Sequence, residues 1–369
     1  MTLVFYISGH GFGHATRDIE VIDHIREQSA NTRIVIRSAV PGEFLAKSAR
    51  RSVDFEYCDA DTGVAQIDSL RLNETETTKR AAAFYRDFHV KADAEAAVLR
   101  RLEAALVIGD VPPLAFAAAA RAGVPSIALA NFTWDWIYAA YPAFQELAPA
   151  VTSTIQNAYA TASLALRLPF PGGFQPMLAV TRDVPLIARR SRRTRESTLD
   201  TLSLDDDRPI VLASFGGHGA RLAFDEIAER NDLTIVLTDH EVRDGAMADG
   251  RLRRFPKEML ERCGIRYEDL VAAADVVVSK PGYGIVSECI ANNAALLYTS
   301  RGPFAEEEVL VSGMQRFLRC RFIAQDDLTA GRWQPAIDDL RDQPAPSAHM
   351  DVNGAAVVAE LILQALAAR

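Results

Sequence analysis

The sequence is short of the features that mark most specialised protein classes. Only four cysteines occur in 369 residues (Cys58, Cys263, Cys289 and Cys320), and no two form a C-x-x-C pair. Neither zinc-ligand spacing nor a disulfide framework is suggested, and such usage suits a reducing cytosol. Basic charge is not in excess: 40 Lys and Arg against 49 Asp and Glu leave a net charge of −9. That balance disfavours a general nucleic-acid binder. No apolar run approaches the roughly 18 residues of a membrane span. The richest, around Pro113 to Ala120, follows a strand pattern and reads as a buried helix. The opening MTLVFYISGHGFGH lacks the basic flank of a signal peptide, so a cytoplasmic protein is expected.

Hydrophobic residues make up 49% and charged residues 24%, a soluble globular balance, and the length suits two domains. Short apolar runs alternate with helical periodicity from end to end. Leu3–Ser8, Arg33–Ser38, Val53–Cys58, Leu106–Ile108, Ser126–Leu129 and Leu164–Arg167 read as strands of a first half, with one long helical region from about Thr75 to Ala105. Ile210–Ala213, Thr234–Leu237, Val276–Ser279 and Ala295–Tyr298 read as strands of a second. This alternation predicts an α/β protein with two doubly wound parallel sheets. The Pro/Gly cluster LPFPGGFQP (Leu168–Pro176) leads into the linker, giving domains 1–175 and 176–353 and a C-terminal helix 354–369. The run Arg189–Arg195 reads as a solvated linker and helix start, and Asp205–Asp207 as a loop rather than a metal-binding D-x-D. The ligand site is expected in the cleft facing the carboxyl ends of both sheets.

Four loops carry candidate chemistry. Ser8–Arg17 (SGHGFGHATR) joins the first strand to the first helix, with Gly9, Gly11 and Gly13 exposing backbone amides beside a helix start. Its spacing is not G-x-G-x-x-G, and the second strand ends in Arg37-Ser38 rather than an acidic residue, so NAD is not expected. His10 and His14 flank this loop as candidate bases. Asp110, just past another strand, either caps the following helix or orients one of those histidines. Gly216, Gly217 and Gly219 in ASFGGHGA form a second phosphate-type loop. Asp275–Glu288 (DVVVSKPGYGIVSE) forms the strongest: the amides of Gly282–Ile285 face a phosphate, and Glu288 is placed for a ribose diol. Arg301–Glu308 then puts three carboxylates by the same edge, suited to sugar hydroxyls or to a solvated helix start.

These loops resemble those of GT-B glycosyltransferases of the MurG and UDP-glycosyltransferase type. The likeness is closer still to the glycosyltransferase-like N-terminal half of plant L-arabinokinase and its stand-alone bacterial relatives. GHGFGHATR, GDVPPLAFAAAARAGVPSIALANFTWDW, VPLIARRSRRTR, SFGG, GYGIVSE and FAEE carry it across nearly the whole chain. No Gly/Ser-rich ATP loop of the GHMP-kinase kind occurs, so sugar kinase activity does not carry over. The resemblance implies His14 as the base, Asp110 as its orienting partner and His10 as the second catalytic candidate. It implies donor contacts from Gly216, Gly217, His218, Gly282, Tyr283, Gly284, Ser287 and Glu288, with Glu306 and Glu307 on the donor sugar. The acceptor is expected at Gly11, Phe12, Gly13, Arg17, Asn131 and Trp134; Phe132, Trp134, Trp136 and Tyr138 form either an aromatic wall or core packing.

The function so implied is inverting, metal-independent transfer from a nucleotide diphosphate sugar, UDP-linked, to a hydroxyl on a small-molecule or lipid-linked acceptor. No cofactor, bound metal or nucleic acid is expected beyond that donor. A nucleotide-sugar epimerase or hydrolase and a catalytically silent sugar-nucleotide sensor are the rival readings of the same fold.

Overall fold

A computed structural model describes residues 1–68, 70–215, 222–238, 251–300 and 302–368. The strands, in chain order, are β1 Thr2–Ile7, β2 Arg33–Ser38, β3 Asp54–Tyr57, β4 Gln66–Asp68, β5 Arg71–Leu72, β6 Ala104–Asp110, β7 Ser126–Phe132, β8 Leu164–Gly172 and β9 Thr181–Asp183. They continue with β10 Ile210–Ala213, β11 Thr234–Thr238, β12 Leu252–Phe255, β13 Val276–Ser279, β14 Ala295–Tyr298 and β15 Cys320–Phe322. Apart from the β4–β5 hairpin, they build two parallel sheets in the orders β3-β2-β1-β6-β7-β8-β9 and β12-β11-β10-β13-β14-β15. Each order reverses once, between β1 and β6 and between β10 and β13. Those reversals open a crevice at the strand carboxyl ends, where an open α/β sheet binds ligand.

Strand alternation distributes the core. Leu3, Phe5 and Ile7 face one side of the first sheet with Ile19, Ile22 and Ile25 of the first helix (Phe12–Gln28), while Val4 and Tyr6 face the other. Ala355, Val358, Ala359, Ile362 and Leu366 join the first group, so the C-terminal helix Gly354–Ala367 lies against the first helix. Its apolar residues recur at intervals of one, three and four, the stripe a helix buries on a neighbour.

The structure departs from the sequence reading in places that have physical causes. The long helical region breaks at Asp87 into Glu74–Arg86 and Phe88–Arg101. The cluster Leu168–Pro176 does not leave the first sheet: β8 runs through Pro169 and Pro171, and β9 adds an edge as far as Asp183. The connecting segment therefore lies beyond the expected boundary at 175. Edge strands β12 and β15 carry arginines, so their sequences show little apolar signal.

Candidate active site

A cavity of about 780 Å³ lies between the two sheets, bordered by the loops at both switch points. Register places the first: Ile7 pairs with Asp110, and the Ser8 amide donates to the Asp110 carbonyl at 2.8 Å. The chain turns into the first helix through Gly11 at φ +84°, a conformation that favours glycine. Neither this helix nor Tyr283–Asn292 carries a side-chain cap or an acidic residue in its first turn. Their leading amides lack intrahelical partners, and the positive ends of both dipoles meet at the cavity. A methyl built on Gly284 would stand 3.7 Å from the Cα of Gly13, so the two helix starts nearly touch. Tyr283 tightens this approach: its ring stacks on Phe132 with centroids 5.9 Å apart, and its hydroxyl donates to the Phe170 carbonyl at 2.8 Å.

His14 Nδ1 lies 2.9 Å from Asp110 Oδ1. Arg17 Nη2 also stands 3.1 Å from Nδ1; with the Nδ1 proton given to the ionised carboxylate, Nε2 is the basic nitrogen. Asp110 is wholly buried. Burial alone would raise its carboxyl, but the Arg17 guanidinium and His14 outweigh that and hold it below the ordinary value. Arg17 Nε donates to Asp110 Oδ2 at 2.6 Å, and its other nitrogens reach Asp110 Oδ1 and Asn131 Oδ1. Asn131 Nδ2 donates to the Pro169 carbonyl at 2.7 Å. Arg17 and Asn131 border the cavity, but their polar groups are committed inside the protein. Arg17 braces Asp110, and Asn131 in turn holds Arg17.

His10 borders the same cavity on a different partner. Its Nδ1 accepts from the Val64 amide at 3.3 Å, and its ring meets Trp134 edge-on. Asp110 therefore serves His14, not His10. Trp134 corrects one expectation: it is 1% exposed, sits in the core, and donates Nε1 to Asp61 Oδ2 at 2.9 Å. Phe132 borders the cavity, whereas Tyr138 and Trp134 pack within. Gly11, Phe12 and Gly13 line the opening.

On the donor side, Gly282, Tyr283, Gly284, Ser287 and Glu288 all line the cavity. Ser287 Oγ donates to the Tyr283 carbonyl at 2.6 Å, closing the first turn. Glu288 is buried; this raises its carboxyl against the opposing pull of Arg189, whose Nε donates to Glu288 Oε1 at 2.6 Å. Glu306 faces the cavity while Glu307 borders a separate depression with Phe304 and Phe322. Gly216, Gly217 and His218 lie outside the described residues.

Sequence reasoning missed three groups. Arg189 hides in a basic run that reads as solvated, yet it grips Glu288 and stands 3.5 Å from Glu268. Asp61 follows β3, two strands from the switch point, so nothing local signals that it reaches the cavity. Asp18 has no exposure and neither carboxyl oxygen finds a hydrogen bond. Among the described residues no helix is long and apolar enough to cross a membrane.

No protein-family model matches the chain. L-arabinokinase of Arabidopsis thaliana is 28% identical over 371 residues, covering 98% of this chain but 34% of that protein. The chain thus spans about a third of that relative's length. The UDP-N-acetylglucosamine–N-acetylmuramyl-(pentapeptide) pyrophosphoryl-undecaprenol N-acetylglucosamine transferase of Clavibacter michiganensis subsp. michiganensis is 30% identical over 267 residues, covering 63% of this chain and 70% of that enzyme. Among solved structures, the glycotransferase of kitacinnamycin matches with TM-score 0.62 and 17% identity over 99% of both chains. The glycosyltransferase VinC, solved with DTDP, gives 0.56 and 15% over 100% of this chain and 96% of that one. MurG of Acinetobacter baumannii gives 0.51 and 12% over 98% and 99%. The two sheets are the paired Rossmann-like domains of these GT-B structures.

Proposed function

This chain belongs to the MurG-like GT-B glycosyltransferases, and on that premise we propose inverting, metal-independent sugar transfer from a nucleotide diphosphate donor to an acceptor hydroxyl. The observation that carries this reading is the His14–Asp110 couple, set beside two uncapped helix starts. Nε2 of His14 takes the acceptor proton as the acceptor oxygen bonds to the anomeric carbon. The bond from that carbon to the diphosphate oxygen breaks in the same step, and the electron pair leaves on the diphosphate. The Gly282–Ile285 amides and the helix dipoles stabilise that charge, the task a metal performs elsewhere. Asp110 keeps the proton on Nδ1 and steadies the imidazolium that forms.

UDP is the proposed nucleotide because the Clavibacter relative is named for a UDP-sugar, and Glu288 is the proposed ribose contact. Glu306 is the proposed contact for the donor sugar. A small-molecule or lipid-linked hydroxyl compound is the proposed acceptor, and the cytoplasm the proposed site of action. The kinase activity named for the arabinokinase relative is not proposed here.

Incubation with UDP-sugars, with and without candidate acceptors, tests the reading through released UDP. Release that needs acceptor and yields a glycoside supports transfer. Release without acceptor favours a hydrolase, an epimerised donor an epimerase, and UDP binding with no turnover a sensor.

A further inference from the structure

Asp61 is a carboxyl of the cleft that the proposed chemistry does not use, set on the first sheet's side beside His10. It lies in the loop that follows β3 and borders the cavity beside His10, Thr62, Gln66 and Arg80. The loop is braced along its length. Cys58 and Ala65 amides donate to the Ser38 carbonyl and to Thr77 Oγ1, each at 3.0 Å. The Tyr138 hydroxyl donates to the Gly63 carbonyl at 2.9 Å and stands 3.0 Å from Thr62 Oγ1. The Val64 amide donates to His10. Gly63 takes φ +55° directly against the His10 ring, so the turn after Asp61 is fixed by the catalytic loop itself. A side chain held this way is pre-organised.

The partners of Asp61 are neutral or weak. Trp134 Nε1 bonds Oδ2 at 2.9 Å, and Ser8 faces the carboxyl. An indole and a hydroxyl use part of a carboxylate's roughly four acceptor positions. Burial pushes its pKa up, against the two hydrogen bonds and His14. A half-buried carboxyl gains from every donor that reaches it, and the open side of this one borders the cavity. Trp134 and Tyr138 turn into the core, while Phe12, Phe44 and Phe132 still line this cavity, so Asp61 is a polar group beside aromatic rings.

We infer that Asp61 selects the acceptor: it accepts a hydrogen bond from a second acceptor hydroxyl, next to the one His14 deprotonates, so the acceptor is a polyol or sugar. The inference rests on the transferase reading and deepens it. A lone alcohol or a phenol leaves the cavity-facing acceptor positions of Asp61 without a donor and is disfavoured, because a site built to bond a hydroxyl discriminates against its absence.

The test uses saturation-transfer NMR with the full chain and UDP present. The probes are methyl β-D-glucopyranoside and myo-inositol, against 4-methylumbelliferone with its single hydroxyl. The expected result is binding of at least one polyol by the wild type, weakened tenfold or more in Asp61→Ala and less in Asp61→Asn, with UDP affinity unchanged in both. The asparagine variant keeps the indole bond and the loop shape, so it answers if the alanine variant does not fold. Binding of the phenol in place of both polyols, binding of none of the three, or full polyol affinity in the folded variants each overturns the assignment. Failure of the wild type to bind UDP instead overturns the transferase reading, and this inference with it.

Discussion

Arg189 donates Nε to Oε1 of Glu288 at 2.6 Å, so a guanidinium from the segment joining the two sheets holds the proposed ribose carboxylate. The Arg189 carbonyl accepts from Asn292 Nδ2 at 3.0 Å, and the guanidinium lies over Tyr267 with 5.4 Å to the ring centroid. On the proposed reading, the nucleotide would meet a carboxylate already aimed and braced. Glu288→Gln keeps the shape and removes the charge. UDP binding should weaken by roughly 1.5–3 kcal/mol, the worth of charge-assisted hydrogen bonds. Calorimetry on the folded variant decides it, and wild-type affinity there removes Glu288 from the donor site.

The proposed metal independence rests on the paired helix starts. Two helix starts already present their positive ends where the leaving diphosphate would lie. Turnover should continue in excess EDTA with little change in kcat. Activity lost in EDTA and restored by Mg²⁺ or Mn²⁺ reverses this claim.

Asp18 yields a prediction about stability. Burial raises its carboxyl well above the ordinary value, Asp110 adds to that, and Arg17 opposes it. A carboxyl whose folded pKa exceeds its unfolded one binds its proton more tightly in the native state. Its contribution is then complete in acid and is lost as pH rises through the folded pKa. Asp18→Asn cannot titrate. Urea denaturation from pH 4 to pH 8 should show the variant gaining steadily on the wild type as pH rises. A difference that stays flat across that range means Asp18 does not titrate as its surroundings imply.

Much of the fold was legible because both sheets are buried on their two faces, so their central strands are unbroken apolar runs. Ile210–Ala213, Val276–Ser279 and Ala295–Tyr298 stand where the pattern put them. The arginine-bearing edges β12 and β15 did not show, nor did the passage of β8 through two prolines. The glycine loops were legible as punctuation between strand and helix. What they touch was not. Arg17, three residues past His14, points back onto Asp110 because helical residues three apart share a face, yet its motif reads equally as a ligand contact. Trp134 sits in an aromatic-rich stretch that suits a binding wall or a core, and only the packing around Asp61 decides between them.

The last prediction separates the two histidines. His14 has a carboxylate on Nδ1, and Nε2 is the nitrogen that can take a proton. His10 Nδ1 accepts from a backbone amide, so its neutral ring carries hydrogen on Nε2 and has no basic site to offer. His14→Ala should lower kcat by roughly 10²–10⁴-fold, the usual worth of a general base, with UDP binding retained. His10→Ala should leave kcat within about tenfold and raise the acceptor KM, because His10 braces the loop that carries Asp61 rather than the transferred proton. Asp110→Asn should lower kcat and also the denaturation midpoint, since it removes the carboxylate that Arg17 Nε and Nη2 both bond. Steady-state kinetics with a verified acceptor checks all three. Loss of turnover in His10→Ala with activity kept in His14→Ala exchanges the two roles, and full activity in both removes general-base catalysis from this loop.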